Sequence, residues 1–225
     1  MNWKEYCKGF AIQKTHCDYE GKCLATVGAY YNIPFKLIYQ SNQVIDGWIP
    51  SGTVPWVSEV IGEIIKPDYF PKFLSKWVTR NVWYQYKWPL HQKLFIKPAD
   101  KHKRFTGFIT SGTFRGKKKG PFICSDIVSF KNEWRYYIAY GKLIGAHWYW
   151  GEEDEPINAP KLDIQWPENW CGTADFGEMK NGDIELIECH PPFSCGWYGQ
   201  KHEEYAEFLT LGWRWIKEKQ YKQSF

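Results

Sequence analysis

The sequence has no long apolar run and no segment typical of a signal peptide, so we expect a cytoplasmic protein without a membrane span or a membrane partner. Internal repeats and low-complexity stretches are also absent, and 225 residues are enough for one domain or two closely joined lobes. Charge of one sign is not in large excess. The formal net charge of +4 does not by itself imply a nucleic-acid partner.

Cysteine pairs of the C-x-x-C type are missing as well. The seven cysteines stand at irregular spacings, and an odd number does not suit a disulfide framework, so we predict reduced thiols. One alternative is a transition-metal site, although the spacing of its residues matches no standard zinc pattern. Its ligands would be Cys171, Cys189, His190 and Cys195.

Aromatic residues, in contrast, are abundant: they make up 19% of the chain and include 14 tryptophans, which favours a tightly packed core. The N-terminal third alternates short helical and strand-like segments, among them CLATVGAYYN, PFKLIY and PSGTVPWVSEVIGEII. From about residue 93 strands dominate, residues 151–170 read as a polar connection, and the last segment is an amphipathic helix. The pattern predicts an α+β fold. The strand-like segments are KLFIKP, RFTGFIT, GPFICSDIV, EWRYYIAY, KLIGAHWYW, GTADFGEM and DIELIECH.

A candidate metal site follows from the hairpin signal Asn181-Gly182, because both central residues of a type I′ turn need positive φ. A two-residue loop there places Asp175 directly opposite Glu188. Facing carboxylates repel each other, and a bound divalent cation would relieve that repulsion. His190 shares a face with Glu188 if the strand stays extended. The alternative is a register slip or a bulge that separates the two acids.

Basic residues that could contact phosphates follow a strand in the middle of the chain. Lys97 ends an apolar strand and is either a phosphate ligand or a solvated lysine. The segment 101–104, which includes Lys103 and precedes Gly107, could close over phosphates or be a solvated charge run. The basic segment 115–119 is typical of a hairpin tip, with an acidic partner as the alternative.

Glu133 and Arg135 share one face of the segment EWRYYIAY. A tight turn at Gly141-Lys142 would place Glu133 opposite Trp150 and Arg135 opposite Trp148. A structural interpretation is an arginine stacked on an aromatic ring. A functional one is an acid that accepts hydrogen bonds from ribose hydroxyls, beside an arginine that binds phosphoryl oxygens.

The order of these elements resembles the ATP-grasp fold of carboxylate–amine and carboxylate–thiol ligases, over roughly residues 75–200. The resemblance is strongest to the small clade named for one conserved arginine and two lysines. It implies antiparallel sheets that clamp a nucleotide, preceded by a small N-terminal α/β lobe in residues 1–90. Residues 91–225 would form the ATP-grasp lobes. Of these, 91–127 would cover the nucleotide, and 128–225 would carry the metal site and the C-terminal helix.

The resemblance also implies a role for each candidate residue. The expected catalytic residues are Lys97 and Arg135. The expected nucleotide-binding residues are Arg80, Lys97, Lys103, Asp126, Ile127, Val128 and Glu133. The expected metal ligands are Asp175, Glu188 and His190. His190 departs from the family pattern, which usually has Asn there. Because imidazole suits Mn²⁺ or Zn²⁺ better than Mg²⁺, either the metal preference has changed or His190 binds substrate or phosphate.

The activity implied by the resemblance is formation of an amide or peptide bond, through an acyl phosphate, between a small-molecule or peptide carboxylate and an amine. The implied cofactors are ATP and Mg²⁺, with Mn²⁺ as the alternative. Two other functions stay open. The glycine-poor basic loop and His190 would also suit a nucleotide-binding module without ligase activity. The basic segments with exposed tryptophans would suit a nucleic-acid-binding protein.

Overall fold

The computed structural model of the protein describes residues 2–63, 65–89, 91–100, 105–110 and 119–223. These residues form helices and three sheets, so the predicted α+β class is confirmed. Of the basic segments predicted from the sequence, 101–104, including Lys103, lies outside the described residues, and so does all of 115–119 except Lys119. None of the helices within the described ranges is long and apolar enough to cross a bilayer.

The N-terminal sheet is parallel and has three strands. Its central strand β1 (Gly9–Gln13) lies between β2 (Phe35–Ile38) and β3 (Trp48–Ser51). Helix α1 (Tyr19–Tyr31) connects β1 to β2, and helix α2 (Val54–Ile61) follows β3. The predicted helices and the predicted strand β2 are confirmed. Strands β1 and β3 were not predicted, because short strands buried on both faces lack the alternation that marks a half-buried strand.

A small antiparallel sheet follows, with the order β4-β7-β5-β6. Its strands are β4 (Val82–Gln85), β5 (Phe95–Pro98), β6 (Phe108–Ile109) and β7 (Phe122–Ser125). Strand β4 was not predicted, and it joins this sheet from the N-terminal side of the expected boundary at residue 90. One face of the sheet is closed by its own apolar cluster. The small sheet is thus a separate layer with an apolar core of its own.

The large antiparallel sheet has the order β11-β10-β8-β9. Its strands are β8 (Phe130–Ala139), β9 (Lys142–Gly151), β10 (Gly172–Met179) and β11 (Ile184–His190). The predicted polar connection between β9 and β10 contains neither helix nor strand. Tryptophans of this connection nevertheless pack on the core of the sheet.

Helix α3 (His202–Gln223) packs against α1 and against the large sheet. The face predicted to be apolar is buried, so this prediction is confirmed. Its members lie in the same core cluster as β1, α1 and α2. The helix therefore joins the N-terminal lobe to the large sheet. The five predicted residues of this face are Tyr205, Phe208, Leu209, Trp213 and Ile216.

The hairpin between β10 and β11 differs from the predicted two-residue turn. Its loop has three residues, 180–182, and of these only Gly182 has positive φ, at +87°. A three-residue loop with glycine in the left-handed conformation is another common hairpin. A bulge then shifts the register next to Asp175 and restores its pairing with Glu188. The predicted turn type is wrong, and the predicted facing pair is confirmed.

The hairpin between β8 and β9 also begins at a different residue. Its turn starts at Tyr140, one position earlier than predicted, and both turn residues have positive φ. Two register shifts along the pair then realign the strands. As a result Glu133 faces Trp150 as predicted, whereas Arg135 faces His147 instead of the tryptophan one position further.

Candidate active site

A cavity of about 370 Å³ lies between the small sheet and the large sheet. Its volume is within the range of small-molecule sites. The strands β5 and β7 supply one wall, and β8 and β11 supply residues on the other. We call it the nucleotide cavity, after the ligand that the resemblance implies. The predicted site residues that line it are Arg80, Lys97, Asp126, Ile127, Val128, Glu133 and Glu188.

Apolar side chains from both sheets complete the nucleotide cavity. Phe95 and Ile123 lie on the small sheet, and Phe130 and Ile187 lie on the large one. Such opposed apolar walls suit a flat aromatic ring. Sequence reasoning missed these four residues. Contacts between segments far apart in the chain decide which residues face each other across two sheets.

The segment that joins the two sheets, residues 126–129, lines the nucleotide cavity and has no regular secondary structure. Asp126 holds its start: its Oδ2 accepts hydrogen bonds from the backbone N–H (3.1 Å) and the Nδ2 (2.7 Å) of Asn81. Asn81 was not predicted. The peptide groups of Ile127 and Val128 lie beside this anchored residue, and Ile127 is half-exposed.

Asp175, Glu188 and His190 converge at the end of the neighbouring strands β10 and β11. One ligand atom from each lies within 4.8 Å of the others, and no other such cluster occurs among the described residues. The three cysteines of the alternative transition-metal site, all among the described residues, do not belong to this cluster. Two carboxylates and an imidazole suit a divalent cation, with Mn²⁺ or Zn²⁺ favoured over Mg²⁺ by the nitrogen ligand. The donor set therefore fits a divalent cation, and of the two metals that the resemblance implies it suits Mn²⁺ better than Mg²⁺. We call these three residues the acid–histidine cluster.

Lys97 connects the nucleotide cavity to this cluster. Its ammonium group forms a short ion pair with Glu188 Oε2 and lies 3.6 Å from the centroid of the Tyr69 ring. His190 Nε2 lies 3.0 Å from the other carboxylate oxygen, Oε1. Burial opposes ionisation of Glu188, but the nearby charges of His190 and Lys97 outweigh it and hold the pKa of Glu188 well below its usual range. The carboxylate is therefore ionised at neutral pH.

Arg135 forms a buried, bidentate ion pair with Asp175. The Nε atom donates to Oδ1 and the Nη2 atom to Oδ2, each at 2.7 Å. Burial alone would lower the pKa of Arg135, but the Asp175 carboxylate raises it well above its ordinary value, so the guanidinium is always charged. The rings of Tyr149 and Tyr198 lie 5.7 and 5.2 Å from it, so it also stacks on aromatic side chains.

Glu133 lies in the nucleotide cavity and is partly buried. The Tyr149 hydroxyl donates a hydrogen bond of 2.5 Å to its Oε2. Burial raises the pKa of Glu133, and the charges of Asp175 and Glu188 raise it further, while the tyrosine hydrogen bond lowers it. The hydrogen bond from Tyr149 thus fixes the position of the Glu133 carboxylate. Because its pKa is raised, Glu133 becomes protonated at a higher pH than Glu188 does.

Arg80 lines the nucleotide cavity, but its guanidinium is bonded to strand β11. Its Nη1 atom donates to Glu185 Oε1 (2.6 Å) and to the Leu186 carbonyl (2.8 Å), and its Nη2 atom donates to the Ile187 carbonyl (3.0 Å). Glu185 is fully buried and was missed, since a glutamate in an apolar strand gives no sign of its distant partner. The geometry shows that Arg80 anchors strand β11 to the segment before β4. Its contact with phosphates stays a prediction.

Two antiparallel sheets around a cavity, with a lysine from one sheet paired to an acid of the other, are the arrangement that the resemblance to the ATP-grasp fold implies. A family model for an ATP-grasp domain, family 2 of the clade named for one arginine and two lysines, matches residues 73–208. The chain belongs to this family, and it is therefore an ATP-dependent ligase.

Solved structures support the same fold. N5-carboxyaminoimidazole synthase from Aspergillus clavatus, in complex with ADP and 5-aminoimidazole ribonucleotide, is 12% identical with a TM-score of 0.53, over 96% of this chain and 78% of that one. The corresponding synthetase from Staphylococcus aureus is 9% identical with a TM-score of 0.53, over 92% and 79%. D-cycloserine synthetase DcsG is 10% identical with a TM-score of 0.56, over 92% and 99%. None of the curated proteins compared with the chain matches it significantly.

Proposed function

We propose that the protein is a carboxylate–amine ligase that uses ATP to form an amide or peptide bond through an acyl phosphate. The observation that carries this proposal is the meeting of Lys97 and Arg135 with the acid–histidine cluster at one end of the nucleotide cavity. Cations and metal-binding acids at one spot are what transfer of a phosphoryl group requires, because negative charge must be held and neutralised there.

The nucleotide would lie with its base between the apolar walls and its phosphates toward Lys97. Peptide groups of Ile127 and Val128 would bind the adenine edge beside Asp126, and the Glu133 carboxylate would accept hydrogen bonds from the ribose hydroxyls. The location of all these groups along one cavity supports this orientation. Lys97, with its ammonium fixed between Glu188 and an aromatic ring, would contact the terminal phosphates.

Asp175, Glu188 and His190 would hold Mg²⁺ or Mn²⁺, which when bound neutralises charge on the phosphate oxygens. In the first step an oxygen of the substrate carboxylate attacks the γ-phosphorus, the bond to the β–γ bridging oxygen breaks, and ADP leaves. In the second step the amine nitrogen attacks the acyl carbon, inorganic phosphate leaves with the bonding electrons, and the amine loses a proton. Arg135 would hold the charge of the transferred phosphoryl group, a role for which its permanent charge and fixed position suit it.

We expect Lys97→Met to weaken ATP binding at least tenfold, because one charge-assisted hydrogen bond is worth about 1.5–3 kcal/mol. Lys93→Met is the matched control, since Lys93 is exposed on the same chain segment and does not line the cavity. Isothermal titration with ATP in the presence of Mg²⁺ or Mn²⁺ measures the affinity. ADP release is then followed with mixtures of amino acids and peptides.

Three outcomes of this experiment separate the candidate functions. ATP binding that depends on Lys97, together with substrate-stimulated ADP release, supports the ligase. ATP binding without ADP release in any mixture would leave the silent nucleotide-binding module. Equal affinities of the Lys97→Met and Lys93→Met variants would place the nucleotide outside this cavity and contradict the proposal.

Glu133 gives a pH-dependent prediction. Only the ionised carboxylate accepts hydrogen bonds from both ribose hydroxyls, so ATP affinity should fall as the pH falls through the pKa of Glu133, which lies above the ordinary value of 4.5. Tyr149→Phe should move this transition to higher pH, because the tyrosine hydrogen bond lowers that pKa. Glu133→Gln should abolish it. Titrations with ATP across the acidic range check the prediction, and an unchanged transition in Glu133→Gln would assign it to another group.

A further inference from the structure

A cavity of about 180 Å³ lies where the N-terminal parallel sheet meets the end of the large sheet. Residues at or beyond the carboxyl ends of β1 and β3, including Glu20 and Ser51, form one wall, and residues 194–196 with helix α3 form the other. We call it the polar pocket. Crevices outside the carboxyl ends of parallel strands are common ligand sites. The N-terminal wall lies outside the part of the chain that the family model matches.

The polar pocket leads to the acid–histidine cluster on the side away from the nucleotide cavity. A small cavity of about 70 Å³ shares Ser194 and Cys195 with the polar pocket and is also lined by Arg135 and His190. It has no lining residue in common with the nucleotide cavity, which reaches the cluster at Glu188. A molecule in the polar pocket could therefore extend past Ser194 to the phosphoryl group from the opposite side.

Ser194 shows two features that are costly without a ligand. Its φ is +51°, a left-handed backbone conformation that residues other than glycine rarely adopt. Its hydroxyl is buried and has no hydrogen-bond partner among the residues that the structure describes. Strained backbone and unsatisfied polar groups both concentrate at binding sites. Ser194 therefore offers a free hydroxyl between the polar pocket and Arg135.

Glu20 supplies the charge of the polar pocket. It is the single carboxylate among the described lining residues. That lining contains no lysine or arginine, and the Nδ1 atom of its one histidine, His16, lies 3.6 Å from Asp18 Oδ2, outside the pocket. The Trp197 backbone N–H donates to its Oε1 at 3.0 Å, which fixes the group while leaving Oε2 without a hydrogen-bond partner among the described residues. A fixed carboxylate without a cationic partner selects for an ammonium group.

We propose that the polar pocket binds the ammonium end of an amino-acid or short-peptide substrate, with Glu20 as its counter-ion. Ser194 hydrogen-bonds the middle of this substrate, and its carboxylate reaches past Ser194 to Arg135, where it becomes the acyl donor. This inference rests on the proposed ligase function. It names the class of acid that the ligase activates: a carboxylate that carries a free amino group.

Hydroxylamine provides the test, because it attacks an acyl phosphate directly and replaces the unknown amine substrate. Hydroxamate and ADP are measured with ATP, hydroxylamine and one of two panels. The first contains the twenty standard amino acids and dipeptides, and the second contains their counterparts without the amino group. The variants are Glu20→Gln, whose amide oxygen can still accept from Trp197, and Glu5→Gln, the same change at an exposed acid outside the polar pocket.

We expect the wild type to form hydroxamate from a member of the first panel and not from its counterpart. Glu20→Gln should raise the KM for that substrate about 10–100-fold, because one hydrogen bond to a charged group is lost. The KM for ATP should stay unchanged. Glu5→Gln should match the wild type. Equal use of both panels, or equal KM values for Glu20→Gln and Glu5→Gln, would overturn this inference alone. Absence of hydroxamate and ADP with every acid would overturn the ligase proposal, and this inference with it.

Discussion

Glu188→Gln is expected to lower the rate of ADP release by about 10²–10³-fold, with folding retained. Removing one group that stabilises charge in a transition state typically costs about 3 kcal/mol or more. Glutamine keeps the shape of the side chain but cannot neutralise a cation, and it removes the ion pair between Lys97 and Glu188. Steady-state ADP release with a working substrate pair is the measurement.

Glu178→Gln is the matched control for this prediction. Glu178 lies in the same hairpin as Glu188 but lines neither the nucleotide cavity nor the small cavity beside Arg135 and His190. A glutamine at this position can still accept the hydrogen bond from Asn132. We expect the control to retain wild-type turnover. Turnover by Glu188→Gln at the rate of the control would refute the role assigned to Glu188.

Arg135→Met is expected to destabilise the fold as well as stop turnover. Arg135 and Asp175 form a buried ion pair, with side chains only 11% and 3% exposed. Removing the cation leaves a buried, unpaired carboxylate, which costs about 3–5 kcal/mol. For a chain of this size that is a fall of roughly 6–20 °C in the unfolding midpoint, at about 2–4 °C per kcal/mol. Thermal unfolding followed by circular dichroism measures it.

The double variant Arg135→Met with Asp175→Leu separates the two effects. It removes both charges together, so it should recover most of the lost stability while remaining inactive. Unfolding of the single variant at the wild-type temperature, or a double variant less stable than the single one, would contradict this account of the pair.

The candidate metal site is the part of the molecule that the sequence predicted best. Asp175 and Glu188 belong to neighbouring strands joined by a short loop, so local rules of alternation and pairing nearly suffice to bring them together. The correct pairing still depended on a bulge that compensates for the longer loop. The arrangement of Arg135 shows the limit of the same reasoning, because a turn that starts one residue earlier and the bulge between Tyr137 and Ile138 pair it with His147.

Contacts between distant segments were beyond sequence reasoning. Arg80 and Glu185 lie 105 residues apart, and no local pattern links a basic residue in a loop to an acid in an apolar strand. The polar pocket likewise combines Glu20, after the first strand, with Ser194, near the end of the large sheet. Such sites exist because helix α3 packs the N-terminal lobe onto the large sheet, and this tertiary contact decides which loops meet.

The central claim is that Asp175 and Glu188 bind the terminal phosphates of ATP through a divalent cation, while Lys97 contacts these phosphates directly. A crystal structure with Mn²⁺ and a non-hydrolysable ATP analogue, with the metal located by its anomalous signal, tests it most directly. We predict Mn²⁺ bound to both carboxylates, with the γ-phosphate beside Lys97 and Arg135. Manganese bound elsewhere, or a nucleotide outside the cavity between the two sheets, would contradict the account.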